Sequence, residues 1–93
     1  MRAYEITNVI LDNPHSLTEE TKSEIKNILQ KYSVEIESEE DWGQKKLWHK
    51  IRGNETGFYH YMKCKAEPNV ISDLENEFKL NQNILRSLII SLK

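Results

Sequence analysis

The sequence is poor in the residues that mark covalent staples, linkers and membrane spans, and each shortage removes a class of protein. It holds one cysteine, Cys64, so no intramolecular disulfide can form and a reducing, cytoplasmic setting is expected. Three glycines and two prolines in 93 residues are too few for a flexible linker or a low-complexity chain. The glycines, at positions 43, 53 and 57, are too dispersed for a phosphate-cradling loop. No apolar run approaches the ~18 residues of a membrane span. The start, Met1-Arg2-Ala3-Tyr4-Glu5, lacks the apolar stretch of a signal peptide. His15, His49 and His60 stand alone, with no second cysteine and no spaced carboxylates to complete a metal or acid–base set. Neither an enzyme nor a cofactor is expected.

What is present is an ordinary globular composition, 38% apolar and 30% charged, in a length that suits one domain over residues 1–93. Such a domain buries somewhat over ~60% of its unfolded surface, enough for one modest core. The net charge of −2 argues against strong nucleic-acid affinity, because phosphate neutralisation supplies most of it. The distribution argues differently. Residues 35–41 carry five acids and no base, whereas residues 44–52 carry Lys45, Lys46, Lys50 and Arg52, with His49, and no acid.

Residues 3–11 are rich in β-formers and close on the turn-forming Asp12-Asn13-Pro14. Strict alternation puts Tyr4, Ile6, Asn8 and Ile10 on one face, with Asn8 out of place; a bulge near Thr7-Asn8 would instead turn Val9 and Leu11 inward. Both remain open at this level. Ser16-Leu17-Thr18-Glu19 has capping-box spacing, and Thr21, Ile25, Ile28, Leu29 and Tyr32 form one stripe, which predicts a helix over 17–32. In residues 34–42, Val34 and Ile36 alternate with Glu35, Glu37, Glu39 and Asp41, a half-exposed strand. Trp42-Gly43-Gln44 begins a connection, open to being a long hairpin, that carries the basic stretch 45–52, and a loop over 53–57 follows. Phe58, His60, Met62, Cys64 and Ala66 alternate with Tyr59, Tyr61, Lys63 and Lys65, a third strand with the first set inward. Glu67-Pro68 opens a second helix, striped by Val70, Ile71, Leu74 and Phe78. Residues 84–92 form a fourth strand, apolar on both faces.

The order β-α-β-β-α-β is the α+β, ferredoxin-like arrangement, with two helices on one face of a four-stranded antiparallel sheet. The other face stays open. Tyr59 and Tyr61, with Leu88 and Ile90, are the expected apolar surface there, and such surplus marks a partner-binding site. Lys63 and Lys65 should lie across from Glu35 and Glu37, a structural use of all four charges. The stretch 45–52 is the expected RNA contact: its bases meet phosphates, and Trp48 offers a ring to an unpaired base. His60 and Cys64 fall in the inward phase and read as core residues.

Met-Arg-x-Tyr-Glu-Ile at residues 1–6, Glu-Asp-Trp-Gly-Gln-Lys-Lys-Leu at 40–47, and Leu-Asn-Gln-Asn-Ile-Leu-Arg-Ser-Leu-Ile-Ile at 80–90 resemble the sixth ribosomal protein of the bacterial small subunit. The resemblance runs from Met1 to about Leu92. It implies the ferredoxin-like fold, a monomer when isolated, and joint binding of small-subunit ribosomal RNA with the eighteenth protein of that subunit. It matches Arg2, Lys45 and Lys46 to basic positions of the family, which join Trp48, His49, Lys50 and Arg52 as candidate RNA contacts. A basic partner would also supply phosphate contacts that a chain of charge −2 lacks. Two departures stand out: many relatives carry Tyr-Pro where this chain has His49-Lys50, and some extend into a charged tail beyond the position of Lys93, so a partner contact made by such a tail is expected to be absent or moved here.

Two other readings share the topology. An RNA-recognition motif wants outward aromatics after a basic-glycine pair on the third strand; Thr56-Gly57-Phe58 lacks the base, and Phe58 and His60 fall inward. A small-molecule-binding regulatory module dimerising through its open sheet explains the apolar face but not the basic stretch.

Overall fold

In the computed structural model, which describes residues 1–12 and 14–92 apart from the side chain of His15, the expected element order is present. Strand β1 (Arg2–Ile10) leads to helix α1 (His15–Lys31), then to a long hairpin of β2 (Glu35–Ile51) and β3 (Asn54–Ala66). A 3₁₀ turn (Pro68–Val70) opens onto α2 (Ile71–Leu80), and β4 (Ile84–Leu92) completes the sheet. All neighbouring strands are antiparallel, in the order β2-β3-β1-β4. This is the ferredoxin-like arrangement.

The core is the predicted one. Ile25 and Leu29 of α1 and Leu74 and Phe78 of α2 are buried against Ile6, Ile10, Met62, Cys64 and Ile84. Each such side chain contributes about 1.5–3 kcal/mol on leaving water. Strand β1 alternates strictly, so Tyr4, Ile6, Asn8 and Ile10 all point inward. Asn8 there accepts from Ser87 Oγ through its Oδ1 at 2.5 Å, while its Nδ2 has no hydrogen-bond partner among the described residues. The irregularity lies between Val9 and Ile10, on the β4 side, not at Thr7-Asn8.

The ends of α1 correct one expectation. Pro14 sits at the N-cap, no described side chain caps the helix, and its first turn holds no acid. Starting at His15 rather than 17, the helix places Ser16 and Thr18 inside it. Thr18 Oγ1 donates instead to the carbonyl of Leu11 at 3.1 Å, tying α1 to the end of β1. At the other end, Ser33 adopts φ 58, and Val34 N–H donates to Leu29 O at 2.9 Å while Ser33 N–H donates to Gln30 O at 3.0 Å. That pair of bonds is a Schellman closure.

Strand β2 is twice the predicted length and carries two irregularities, between Ile36 and Ser38 and between Asp41 and Gly43. The first reverses the phase of residues 38–41, and the second restores it from Gly43 onward. Glu39 and Asp41 therefore turn beneath α1 and do not share a solvent face with Glu35 and Glu37. Lys26 Nζ lies 3.0 Å from Glu39 Oε1 and Lys22 Nζ 2.9 Å from Asp41 Oδ2. Buried His60 donates from Nε2 to Glu39 Oε2 at 2.5 Å, a structural role. The same shift sets Lys63 opposite Ser38, while Lys65 pairs with Glu35 in register and lies 3.6 Å from the Glu37 carboxylate. The expected loop over 53–57 is also corrected. Arg52 and Gly53, at φ 48 and 79, make the two-residue turn that a twisted hairpin demands, and Asn54 to Gly57 already belong to β3.

Candidate nucleic-acid interface and partner face

Register places the face away from the helices. Glu5 pairs with Ile90 and Thr7 with Leu88 on one side of β1, and with Lys63 and Tyr61 on the other. Leu88 and Ile90 are thus on the open face with Tyr59 and Tyr61, and they are 51% and 45% exposed. Ile84, on the other side of the Val9/Ile10 shift, is buried in the core instead. Both helices pack on the opposite side of the sheet.

Trp42, which the sequence reading did not name as a site residue, belongs to the same face. Its ring stacks on Tyr61 with centroids 4.9 Å apart and planes 9° from parallel. Lys45 Nζ rides 5.6 Å from the Trp42 ring and 5.8 Å from that of Tyr59, a cation over two aromatic faces. Tyr61 donates its hydroxyl to the Glu5 carboxylate, and this bond, with desolvation and the carboxylate's charge, pushes the phenol up to about 12. The signal for Trp42 lay in the pairing of an exposed Trp with Gly43 at a bulge, legible only once the register is known.

The basic stretch forms the far half of β2. Lys46 pairs in register with Thr56, Trp48 is 92% exposed, and His49 meets its ring edge-on at 6.2 Å. Lys50 lies 3.5 Å from Glu55, both well exposed, a contact of little energetic weight. Arg52 is different. Its guanidinium donates to the carbonyl of Gln82 at 3.1 Å and of Ile84 at 2.6 Å, pinning the hairpin turn to the start of β4. Arg2 is exposed but pairs with Ala66, ten positions along β3 from Thr56. At ~3.4 Å per residue it lies about 30 Å from the arm. The structure brings Lys45, Lys46, Trp48, His49 and Lys50 together and leaves Arg2 at the opposite end.

The arm holds its shape through one close approach. Gly57 faces Val9 and Leu47, and a β-carbon there would meet Val9 Cγ1 at 2.5 Å. Only glycine lets Val9 and Leu47 close over the strand.

Against known proteins, the model of the family described as Ribosomal protein S6 matches residues 3–91. The chain belongs to the ribosomal protein S6 family. It is 47% identical over 90 residues to the small ribosomal subunit protein bS6 of Leptospira biflexa serovar Patoc, covering 97% of this chain and 96% of that one. To bS6 of Helicobacter acinonychis it is 34% identical over 93 residues, covering 97% of this chain and 64% of the relative. The crystal structure of 30S ribosomal protein S6 from Thermotoga maritima superposes with a TM-score of 0.89 over 98% of this chain and 87% of that one, at 22% identity, a likeness of fold. Ribosomal S6 proteins are structural components of the ribosome and not enzymes.

Two surfaces of different chemistry thus adjoin on this S6 family member. One is an apolar and aromatic sheet face, built by Trp42, Tyr59, Tyr61, Leu88 and Ile90. The other is a cationic arm that shares Lys45 with it. Among the described residues no helix is long and apolar enough to cross a membrane.

Proposed function

We propose that this structural protein of the small ribosomal subunit binds small-subunit ribosomal RNA through the arm at 45–50, jointly with the eighteenth protein of that subunit, which docks on the open sheet face. The chain is a monomer when isolated. The observation that carries the reading is the uncovered face itself: Leu88, Ile90 and Trp42 remain about half exposed beside an arm with four bases and no acid between residues 44 and 52. A contiguous apolar patch next to a cationic rim suits a protein partner and an RNA held together. A basic partner also offsets the chain's net charge of −2, which makes it a poor RNA ligand alone. Arg2 serves as a second, separate phosphate contact, whereas the Arg52 guanidinium acts first as a pin.

The test is a gel shift on small-subunit ribosomal RNA, with and without the eighteenth protein, across a salt series. Tight binding is expected only with the partner. Lys45→Ala with Lys46→Ala should lower the slope of log K against log salt by about 0.7–0.9 for each phosphate no longer neutralised. Leu88→Asp should abolish partner binding without unfolding the chain, because that side chain is exposed. A stable homodimer by light scattering that ignores the RNA would replace this reading with the regulatory module.

A further inference from the structure

Where the arm leaves the sheet, its side chains and the β1–β4 edge enclose a shallow hollow of about 330 Å³, at the small end of the range that ligand sites occupy. Its position follows from register. Arg86 of β4 pairs with Val9 of β1, and Val9 pairs with Tyr59 of β3, so the three stand in one row on the open face. Val9, Leu47 and Ile51 line the hollow with apolar surface, Trp48 and Tyr59 with rings, and His49 and Arg86 with nitrogen donors. Among the described residues no carboxylate lines it, and Arg86 makes no ion pair.

Trp48 is the unexplained member. An indole 92% exposed contributes almost nothing to this fold, yet burying such a ring is among the most favourable contacts a surface can offer. Among the described residues its one aromatic neighbour is His49, edge-on, so the indole face is free. A free aromatic face beside an unpaired guanidinium, in a hollow without acids, has the chemistry of a nucleotide site: the ring stacks on a base, and the cation meets its phosphate or an acceptor on its edge. The larger groove of about 800 Å³ between α2 and β4 shares Arg86 and adds Arg52 and Lys79, but Asp73 and Glu75 line it too and its one aromatic, Phe78, is fully buried, so it offers no ring for a base.

We infer that this hollow, with Trp48 and Tyr59 as its rings and Arg86 at its rim, receives one unpaired nucleotide of the bound RNA; the inference rests on the ribosomal-RNA reading above. It assigns Arg86 to RNA, puts Tyr59 at the boundary that the hollow shares with the partner face, and makes Trp48 a stacking contact distinct from the phosphate contacts of Lys45 and Lys46. A stacking contact and a phosphate contact differ in salt dependence, because only the second releases counterions.

The experiment uses the full chain with small-subunit ribosomal RNA and the eighteenth protein, and compares the wild type with Trp48→Ala, Trp48→Phe, Arg86→Ala and Lys46→Ala. Trp48→Ala should weaken RNA binding about 5- to 150-fold with an unchanged salt slope, and Trp48→Phe should retain most of the affinity. Arg86→Ala and Lys46→Ala should weaken binding, with Lys46→Ala lowering the slope. Ultraviolet cross-linking of the wild-type complex should join an unpaired nucleotide to the peptide holding Trp48. All variants should keep the wild-type Tm within about 2 °C, since these side chains are exposed. A wild type that fails to shift the RNA overturns the underlying reading. A wild type that binds, beside a Trp48→Ala variant that binds equally well, overturns the nucleotide site alone. Weaker affinity for the eighteenth protein in the absence of RNA, on Trp48→Ala, would make the hollow a seat for a protein side chain and refute the inference.

Discussion

Arg52→Ala separates two roles that one arginine in a basic stretch can hold. The guanidinium donates to Ile84 O at 2.6 Å in a partly buried setting and to Gln82 O at 3.1 Å in an exposed one. Hydrogen bonds from charged donors contribute about 1.5–3 kcal/mol each when sheltered, and the exposed one much less. The pair is therefore worth about 1.5–2 kcal/mol. For a chain of 93 residues, each kcal/mol moves Tm by about 4–8 °C, which sets the expected decrease at about 6–16 °C. Alanine keeps a β-carbon at φ 48, so the backbone strain of the turn is common to both proteins and cancels. Arg52→Lys should recover part of the stability, because an ammonium on a flexible stem cannot span two carbonyls as a planar fork does. The assay is thermal and urea unfolding of the isolated chain, paired with the salt slope of RNA binding. Arg52→Ala should lose stability and leave the slope nearly intact; Lys46→Ala should do the opposite. A variant at Arg52 with an unchanged Tm and a slope lower by about 0.7–0.9 would show that the guanidinium sits on a phosphate, and the pin would be refuted.

Gly57→Ala places a β-carbon 2.5 Å from Val9 Cγ1, and overpacking of this kind costs about 1–3 kcal/mol. The double variant with Val9→Ala should recover much of that stability in a thermal-melt cycle; additive effects would deny the contact. Burial raises the Glu39 carboxyl, but hydrogen bonds from Lys26 and His60, with their charges, outweigh it and hold the group below its ordinary 4.5. A depressed folded-state pKa means that the contribution is complete above the ordinary value and is lost as pH falls through the folded one. Melting of the wild type should therefore fall more steeply than that of Glu39→Gln between about pH 5 and pH 3, and parallel curves would count against the coupling. Burial pushes the Cys64 thiol up to about 11, aided by the nearby Glu37 charge, so a thiol reagent should label it only as fast as the chain opens. Rapid labelling of native protein would place Cys64 outside the core.

The element order and the core were legible because each rests on a period. Ile25 and Leu29 recur at helical spacing, and Met62 and Cys64 at strand spacing, so their burial follows from sequence alone. Residues 36–43 were not legible. A bulge adds one residue to one strand, and no local pattern in Ile36-Glu37-Ser38 announces it; only the facing strand shows the shift, from Cys64 to Lys63. The faces assigned to Glu39 and Asp41 were reversed for that reason. The length of β2 was left open by composition, since a run of lysines broken by Trp48 and His49 has no alternation to mark a strand; the long hairpin is present, its backbone pairing across to β3 as far as Asn54. The candidate site divides in the same way. Tyr59, Tyr61, Leu88 and Ile90 share a face as alternation implied, and Lys45 joins them there, while its strand neighbour Lys46 projects to the other side. The structural bonds of Arg52 were not legible because its partners, the carbonyls of Gln82 and Ile84, are thirty and thirty-two residues away in sequence.

The bulges also bear on how an acidic chain presents a cationic surface. Residues 44–52 hold four of the thirteen Lys and Arg and none of the fifteen acids, so the arm carries +4 and the rest of the chain −6. Had β2 alternated without interruption, Glu39 and Asp41 would stand on the open face with Glu35 and Glu37, where they would repel RNA phosphates and confront any partner. The shift after Ile36 moves both carboxylates under α1, onto Lys22, Lys26 and His60. There they oppose their own cations. Glu39 pairs with Met62 and Asp41 with His60, five and three positions along β3 from Gly57, the partner of Lys45, which is about 17 and about 10 Å. Screening at physiological salt acts over ~8 Å, and both carboxylates already face a lysine of α1, so their effect on the field of the arm is reduced. One inserted residue in an edge strand thereby gives two carboxylates cations of their own, while Glu40, turned outward by the same shift, accepts from Trp42 Nε1 at 3.1 Å.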